Sequence, residues 1–138
     1  MNIVRRCLML GLALALAGCV GGPNVKGTPV PTAFFVFFEK DSATPDEDAK
    51  AVFDEAAAYL IQYDNTAVRI VGHVSKDEST AELDQQRASR AAEELAKRGA
   101  QPVRMQLLGM GTQENISGDP AVGDVSLDRR VEILFSTM

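Results

Sequence analysis

The chain has 138 residues, of which 14 are Lys or Arg and 19 are Asp or Glu, and its formal net charge is −5. This length is enough for one compact domain with a modest core. The chain has no basic block, which argues against a nucleic-acid partner. One His and two Cys give no cluster at metal-ligand spacing, so the sequence predicts no metal site and no cofactor.

The first 18 residues have the features of a secretion signal. Arg5 and Arg6 precede an apolar run over residues 8–17, which is too short to cross a bilayer as a helix. The run ends in Leu-Ala-Gly before Cys19, small residues of the kind that a signal peptidase accepts. This segment resembles the lipobox of bacterial lipoproteins, in which the Cys thiol is acylated before cleavage. The alternative is an ordinary signal peptide with a chance Cys.

Acylation of Cys19 would attach the chain firmly to a membrane, because several acyl chains on one residue give stable membrane binding, whereas a single chain binds only marginally. Residue 20 is Val and not the Asp of an inner-membrane retention signal, which favours the outer membrane, with the domain facing the periplasm. Cys7 would leave with the signal, so no free thiol or disulfide would remain. The signal holds two of the basic residues and none of the acidic ones, which leaves a net charge of −7.

Residues 20–31 hold three Gly and three Pro and little that could be buried, a composition typical of a tether. Fully extended, this segment would reach about 40 Å, so the domain would work close to the membrane. We therefore divide the chain into a signal over residues 1–18, a lipidated Cys with its tether over residues 19–32, and a folded domain over residues 33–138.

The folded domain opens with a predicted strand and a predicted helix. The aromatic run over residues 34–38 is typical of a buried strand. Thr44, Pro45 and Glu47 form a capping-box pattern, which predicts an amphipathic helix over residues 45–63. Its expected buried residues are Val52, Phe53, Ala56, Ala57, Leu60 and Ile61.

A second strand and a second helix follow. Apolar residues alternate over residues 68–72, as in a half-buried strand. Ser79 and Glu82 repeat the capping-box pattern, and the helix is expected to run to about Arg98, with Gly99 just after its end. Its expected buried residues are Leu83, Ala88, Ala91, Ala92 and Leu95.

Two further strands complete the domain. Val103, Met105 and Leu107 predict a third strand, and the alternation over residues 131–135 predicts a fourth after a polar loop. The order β-α-β-α-β-β predicts an α/β (α+β) sandwich in which both helices pack on one face of a four-stranded mixed sheet.

Four segments resemble, in order and spacing, the OmpA-like peptidoglycan-binding domain that is also found in peptidoglycan-associated lipoproteins. They are FFEKDSA at residues 37–43, VGHVS at 71–75, RASRAA at 87–92, and GMGT at 109–112 followed by DRRVEI at 128–133. The resemblance covers about residues 34–135 and implies the OmpA-like fold. The family shares His73, but no second ligand or nucleophile lies near it in the sequence, so we expect it to be a structural hydrogen-bonding residue.

The resemblance implies a ligand, the diaminopimelate residue of the peptidoglycan stem peptide, which carries two carboxylates and an amine. Such a zwitterion requires a fixed cation and a fixed anion, and the planar fork of Arg suits a carboxylate. By the family's spacing, Arg90 takes the cation position, because it follows residue 75 by 15 residues. The alternative for Arg90 is a surface ion pair with Glu93 or Glu94 on the same helix.

The anion position departs from the family. Family members have Asp where this chain has Ser75, which cannot supply a charge. Asp77 and Glu78 are neighbours that could supply it, and Asp41 matches another family contact. Arg129 could line the pocket or make a salt bridge to a carboxylate at a strand end.

The resemblance thus implies a non-catalytic outer-membrane lipoprotein that binds peptidoglycan and links the membrane to the wall. An unpaired ligand amine would cost about 2–5 kcal/mol. The alternative is therefore a degenerate OmpA-like domain with weakened peptidoglycan binding that interacts with proteins of the envelope or of a secretion complex. An enzymatic function has little support, because a chain with one His and no free thiol offers no Ser-His-Asp or Cys-His arrangement. The sequence does not exclude catalysis by a pair of carboxylates.

Overall fold

The computed structural model describes residues 33–79, 81–118 and 123–138. The expected signal, Cys19 and the tether lie outside the described residues. The elements are β1 (Ala33–Phe37), α1 (Glu47–Gln62), β2 (Thr66–Gly72), α2 (Leu83–Lys97), β3 (Met105–Gly109) and β4 (Arg130–Thr137), with short 3-10 turns at Pro102–Arg104 and Val125–Asp128.

The four strands form one mixed sheet in the order β1-β4-β2-β3. Strand β4 pairs antiparallel with both β1 and β2, whereas β2 and β3 are parallel. One hydrophobic core lies between the sheet and the two helices, with Phe53 and Leu60 of α1, Leu95 of α2, and Ile70 and Ile133 of the sheet. The predicted α/β sandwich is confirmed.

Helix α1 begins two residues later than predicted. Its N-cap is Asp46, whose carboxylate accepts a hydrogen bond from the Ala49 N–H at 2.8 Å, so Thr44 is not the cap. An Asp cap satisfies one of the unpaired N–H groups of the first turn and suits the positive end of the helix. Ile61, expected in the core, is exposed.

The capping box predicted at Ser79 and Glu82 is wrong. Glu82 has a φ of 59° and makes no side-chain cap, and α2 begins at Leu83. The start of α2 instead lies directly against the ends of two strands. A Cβ on Gly72 would be 1.8 Å from the Asp84 carbonyl oxygen, and one on Gly109 would be 2.6 Å from its carboxylate. The two glycines therefore set the position of α2.

Two other details of the strands were predicted incorrectly. Strand β1 lies at the edge of the sheet, and Phe35 and Phe37 are exposed while Val36 is buried, so only one face of the strand meets the core. Val103 lies in a 3-10 turn before β3 and is exposed. The core residues of β4 and the Gly99 position after α2, with a φ of 97°, are as predicted.

Candidate functional site

The strand register brings the segments that hold the predicted site residues Asp41, Ser75, Asp77 and Arg129 to one end of the sheet. Phe37 of β1 pairs with Arg130 of β4, and Gly72 of β2 pairs with Val131 of β4 and with Gly109 of β3. The loops after β1, β2 and β3 and the turn before β4 therefore meet here. We call this part of the molecule the loop end.

Arg87 is the buried cation of the loop end. It lies on α2 at four-residue spacing from Leu83, Ala91 and Leu95, and this spacing places it on the helix face that meets the sheet. Its side chain is 0% exposed, and its guanidinium carbon lies 5.3 Å from the centre of the Phe38 ring. An arginine so placed needs a partner for its charge.

Every N–H donor of the Arg87 guanidinium is used. Nε donates to the Ser42 carbonyl at 2.8 Å, Nη1 donates to the His73 carbonyl at 2.9 Å, and Nη2 donates to the Glu39 carbonyl at 3.2 Å. The remaining donors of Nη1 and Nη2 bind the two carboxylate oxygens of Glu78. A guanidinium has five N–H donors, so the set is complete.

The Glu78 carboxylate is equally saturated. Besides the two bonds from Arg87, it accepts one from the Asp41 backbone N–H at 2.8 Å and one from the Ser75 backbone N–H at 3.0 Å. Its side chain is 1% exposed. Burial alone would raise the pKa of Glu78, but the hydrogen bonds from Arg87, Ser75 and Asp41 outweigh it and lower that pKa. The pair is therefore ionised and joins the two loops to α2.

A second charge cluster lies at the surface of the loop end, beside this pair. The Asp77 carboxylate is 3.2 Å from Lys40 Nζ and 3.9 Å from Arg129 Nη1. These side chains are 40% (Asp77), 53% (Lys40) and 14% (Arg129) exposed. We call Lys40, Asp77 and Arg129 the rim cluster.

Ser75 connects the two clusters. Its backbone N–H binds Glu78, and its hydroxyl donates to the Asp77 carboxylate. This hydroxyl, followed by Lys40, lowers the pKa of Asp77. Ser75 supplies no charge itself, but it holds Asp77 ionised and in place.

The structure brings together Asp41, Ser75, Asp77 and Arg129 but not Arg90. Asp41 contributes its backbone N–H to Glu78, and its carboxylate accepts a bond from the Ser79 N–H at 3.3 Å. Arg129 Nε donates to the Phe38 carbonyl at 3.3 Å, which keeps its guanidinium near Asp77.

Arg90 makes the ion pair with Glu93, at 2.7 Å, that was the alternative for it. It lines a shallow polar groove of about 400 Å³ on the outer side of α2. Arg87, and not Arg90, contacts the loop of Ser75, because Arg87 is the one of the two that lies on the buried face of α2. The four-residue series from Leu83 was the signal that could have identified it.

His73 is buried. Its Nδ1 lies 3.2 Å from the Gln113 carbonyl and its Nε2 lies 3.4 Å from Glu132. Burial, followed by the nearby Arg130, lowers the pKa of His73. The hydrogen bond at Nδ1 agrees with a role that fixes the loop after β3 over the sheet, whereas Nε2 makes no hydrogen bond.

The described part of the chain holds neither a metal-binding cluster nor a membrane-spanning helix. Among residues 33–79, 81–118 and 123–138, no three His, Cys, Asp or Glu side chains are grouped so as to hold a metal ion. Within the same residues, the helices are too short or too polar to cross a membrane.

The OmpA family model matches residues 37–126, which is about two thirds of the chain. The chain belongs to the OmpA family. It is 28% identical to the peptidoglycan-associated lipoprotein of Rhizobium meliloti, with 94% of this chain and 87% of that protein aligned.

Solved structures of OmpA-like proteins share its fold. The OmpA-like domain of FopA1 from Francisella tularensis superposes with a TM-score of 0.66 at 17% identity, over 78% of this chain and 73% of that one. The peptidoglycan-associated lipoprotein of Burkholderia pseudomallei gives 0.64 at 22% identity, over 74% and 89%. At these identities the likeness supports the OmpA fold and not a particular ligand.

Proposed function

We propose that this OmpA-family chain is a non-catalytic lipoprotein of the outer membrane that binds peptidoglycan and links the membrane to the wall. In this proposal the domain faces the periplasm and recognises diaminopimelate of the stem peptide. Membership of the OmpA family and the likeness to peptidoglycan-associated lipoproteins support the envelope role.

The rim cluster is the observation that carries the ligand assignment. It presents an exposed anion, Asp77, between two cations, Lys40 and Arg129, on the loop end. A zwitterion can pair its amine with Asp77 and a carboxylate with Lys40 or Arg129. The rim cluster thus offers the fixed cation and the fixed anion that this ligand requires, although the family's Asp is replaced by Ser75.

Asp77→Asn is the direct test. This change removes the charge and keeps the shape, and we expect a loss of at least tenfold in co-sedimentation with diaminopimelate-type sacculi, because a hydrogen bond to a charged group contributes about 1.5–3 kcal/mol. Asp64→Asn is the matched control, since it removes the same charge from the exposed turn between α1 and β2. Equal binding by both variants would contradict the proposed site, and no binding by the wild type would contradict the proposed function.

The attachment to the membrane rests on Cys19. We expect Cys19→Ala to move the protein from the membrane fraction to the soluble periplasmic fraction, because the acylated thiol would be lost. Cys7→Ala is the control, since Cys7 lies in the expected signal and should leave the membrane attachment unchanged. A Cys19→Ala protein that stays with the membrane would contradict a lipid anchor at this position.

One observation favours a second candidate function. Arg87 has no donor left for a ligand, so the loop end lacks its most buried cation as a recognition group. A domain with weakened peptidoglycan binding could then act as a protein-interaction module of the envelope. Two results together would support this function: the wild-type protein does not co-sediment with sacculi, and the wild type and Asp77→Asn co-purify with the same envelope proteins.

A further inference from the structure

We propose that Glu78 is an internal carboxylate ligand of Arg87, which keeps the carboxylates of bound molecules away from this guanidinium and confines recognition to the rim cluster. The inference deepens the proposed function, on which it rests for the identity of the excluded ligand. It makes Glu78 a residue that determines specificity.

The geometry of the pair is that of a bound carboxylate. The two Glu78 oxygens accept bonds from Nη1 and Nη2 of Arg87, the parallel arrangement in which a guanidinium holds a free carboxylate. The three other donors of Arg87 bind backbone carbonyls of Glu39, Ser42 and His73. An incoming carboxylate could therefore reach Arg87 only by replacing Glu78.

Replacement would break more than one ion pair. Glu78 also accepts hydrogen bonds from the backbone N–H groups of Asp41 and Ser75, so its departure would leave these two backbone donors without acceptors and the buried guanidinium of Arg87 without its internal counter-charge. Unsatisfied buried donors each cost about as much as a lost hydrogen bond. The loop end therefore favours its own carboxylate over one that must first lose its hydration.

The same contacts exclude a different role for Glu78. As the anion for a ligand amine, Glu78 would need an exposed oxygen with room for another donor. Each of its oxygens already accepts two hydrogen bonds, and its side chain is 1% exposed. Its neighbour Asp77 is 40% exposed and is the anion that a ligand can reach.

Chemical rescue by formate tests the inference without peptidoglycan. Glu78→Ala removes the internal carboxylate and leaves space beside Arg87. We expect formate to raise the unfolding midpoint of this variant by at least about 3 °C over chloride at equal ionic strength, and to leave the wild type unshifted. Glu93→Ala, which removes the exposed partner of Arg90, is the control and should show no formate-specific shift. Equal shifts in the wild type and Glu78→Ala, or none in a folded Glu78→Ala, would overturn the inference.

A measurement on the wild type covers the case in which Glu78→Ala does not fold. The NMR signal of the Arg87 Nε–H should not move when formate is titrated, because the guanidinium is already occupied. A saturable shift of this signal would overturn the inference. With a soluble muropeptide that carries diaminopimelate, the Asp77 amide should shift while the Arg87 signal stays. A muropeptide that moves the Arg87 signal refutes the role of Glu78, whereas one that moves neither signal refutes the proposed function, and the formate titration still decides the role of Glu78.

Discussion

Asp77 and Glu78 are neighbours in the loop between β2 and α2, yet they belong to two different kinds of charge cluster. Glu78 is buried against Arg87, and every hydrogen-bonding position of the two groups is used. Asp77 is partly exposed between Lys40 and Arg129, with contacts that water and ligands can replace. A buried ion pair cannot lose one partner without a large penalty, whereas exposed pairs contribute little to stability. We therefore expect the buried Arg87–Glu78 pair to stabilise the loops and the rim cluster to bind the ligand.

The largest effect that this comparison predicts is on stability. Arg87→Ala would leave the Glu78 carboxylate buried without its cation, and we expect a loss of about 3–5 kcal/mol in the free energy of unfolding. Urea unfolding of the purified domain measures it. Asp77→Asn is the matched change in the rim cluster, and we expect it to cost less than about 1 kcal/mol. Similar losses for the two variants would remove the distinction between the clusters.

The sequence was sufficient for the fold because the core follows simple periodicity. The alternation of Val131, Ile133 and Phe135 and the apolar face of α1 determine the sheet and the side that the helices cover. The predicted starts of the two helices were less accurate than the predicted strands. Several residues near each start can act as the N-cap, and the sequence does not show which of them lies within hydrogen-bonding distance of a free backbone N–H.

The candidate site was harder to predict, for two physical reasons. An Arg in a helix is usually exposed, so periodicity alone gives Arg87 no advantage over Arg90 until the buried series from Leu83 is followed. The Ser-x-x-Glu pattern also occurs twice in succession. In the structure the backbone N–H of Ser75 binds the Glu78 carboxylate, while the pattern at Ser79 makes no cap. The sequence pattern itself is the same at both places and does not distinguish them.

Acid should weaken the buried cluster more than the rim cluster. The pKa of Glu78 in the folded protein lies below its ordinary value of 4.5, so its contribution to stability is complete above that pH and is lost as the pH falls through the lowered pKa. Glu78→Gln should therefore flatten the dependence of unfolding free energy on pH in this acidic range. Asp77→Asn should flatten it less, because solvent screens the more exposed carboxylate, although the pKa of Asp77 is also lowered. Urea unfolding at a series of pH values makes the comparison, and parallel profiles for the wild type and Glu78→Gln would contradict it.

The smallest expected effect is that of Arg90→Ala, and it distinguishes Arg90 from Arg129 as the arginine that binds a ligand carboxylate. Arg90 is paired with Glu93 on the outer side of α2, so we expect Arg90→Ala to change unfolding free energy by less than about 0.5 kcal/mol and to leave co-sedimentation with sacculi unchanged. Arg129→Ala removes a cation of the rim cluster and should reduce that co-sedimentation. If Arg90→Ala instead binds sacculi more weakly than Arg129→Ala, the ligand carboxylate binds in the groove along α2, and the rim cluster has only a structural role.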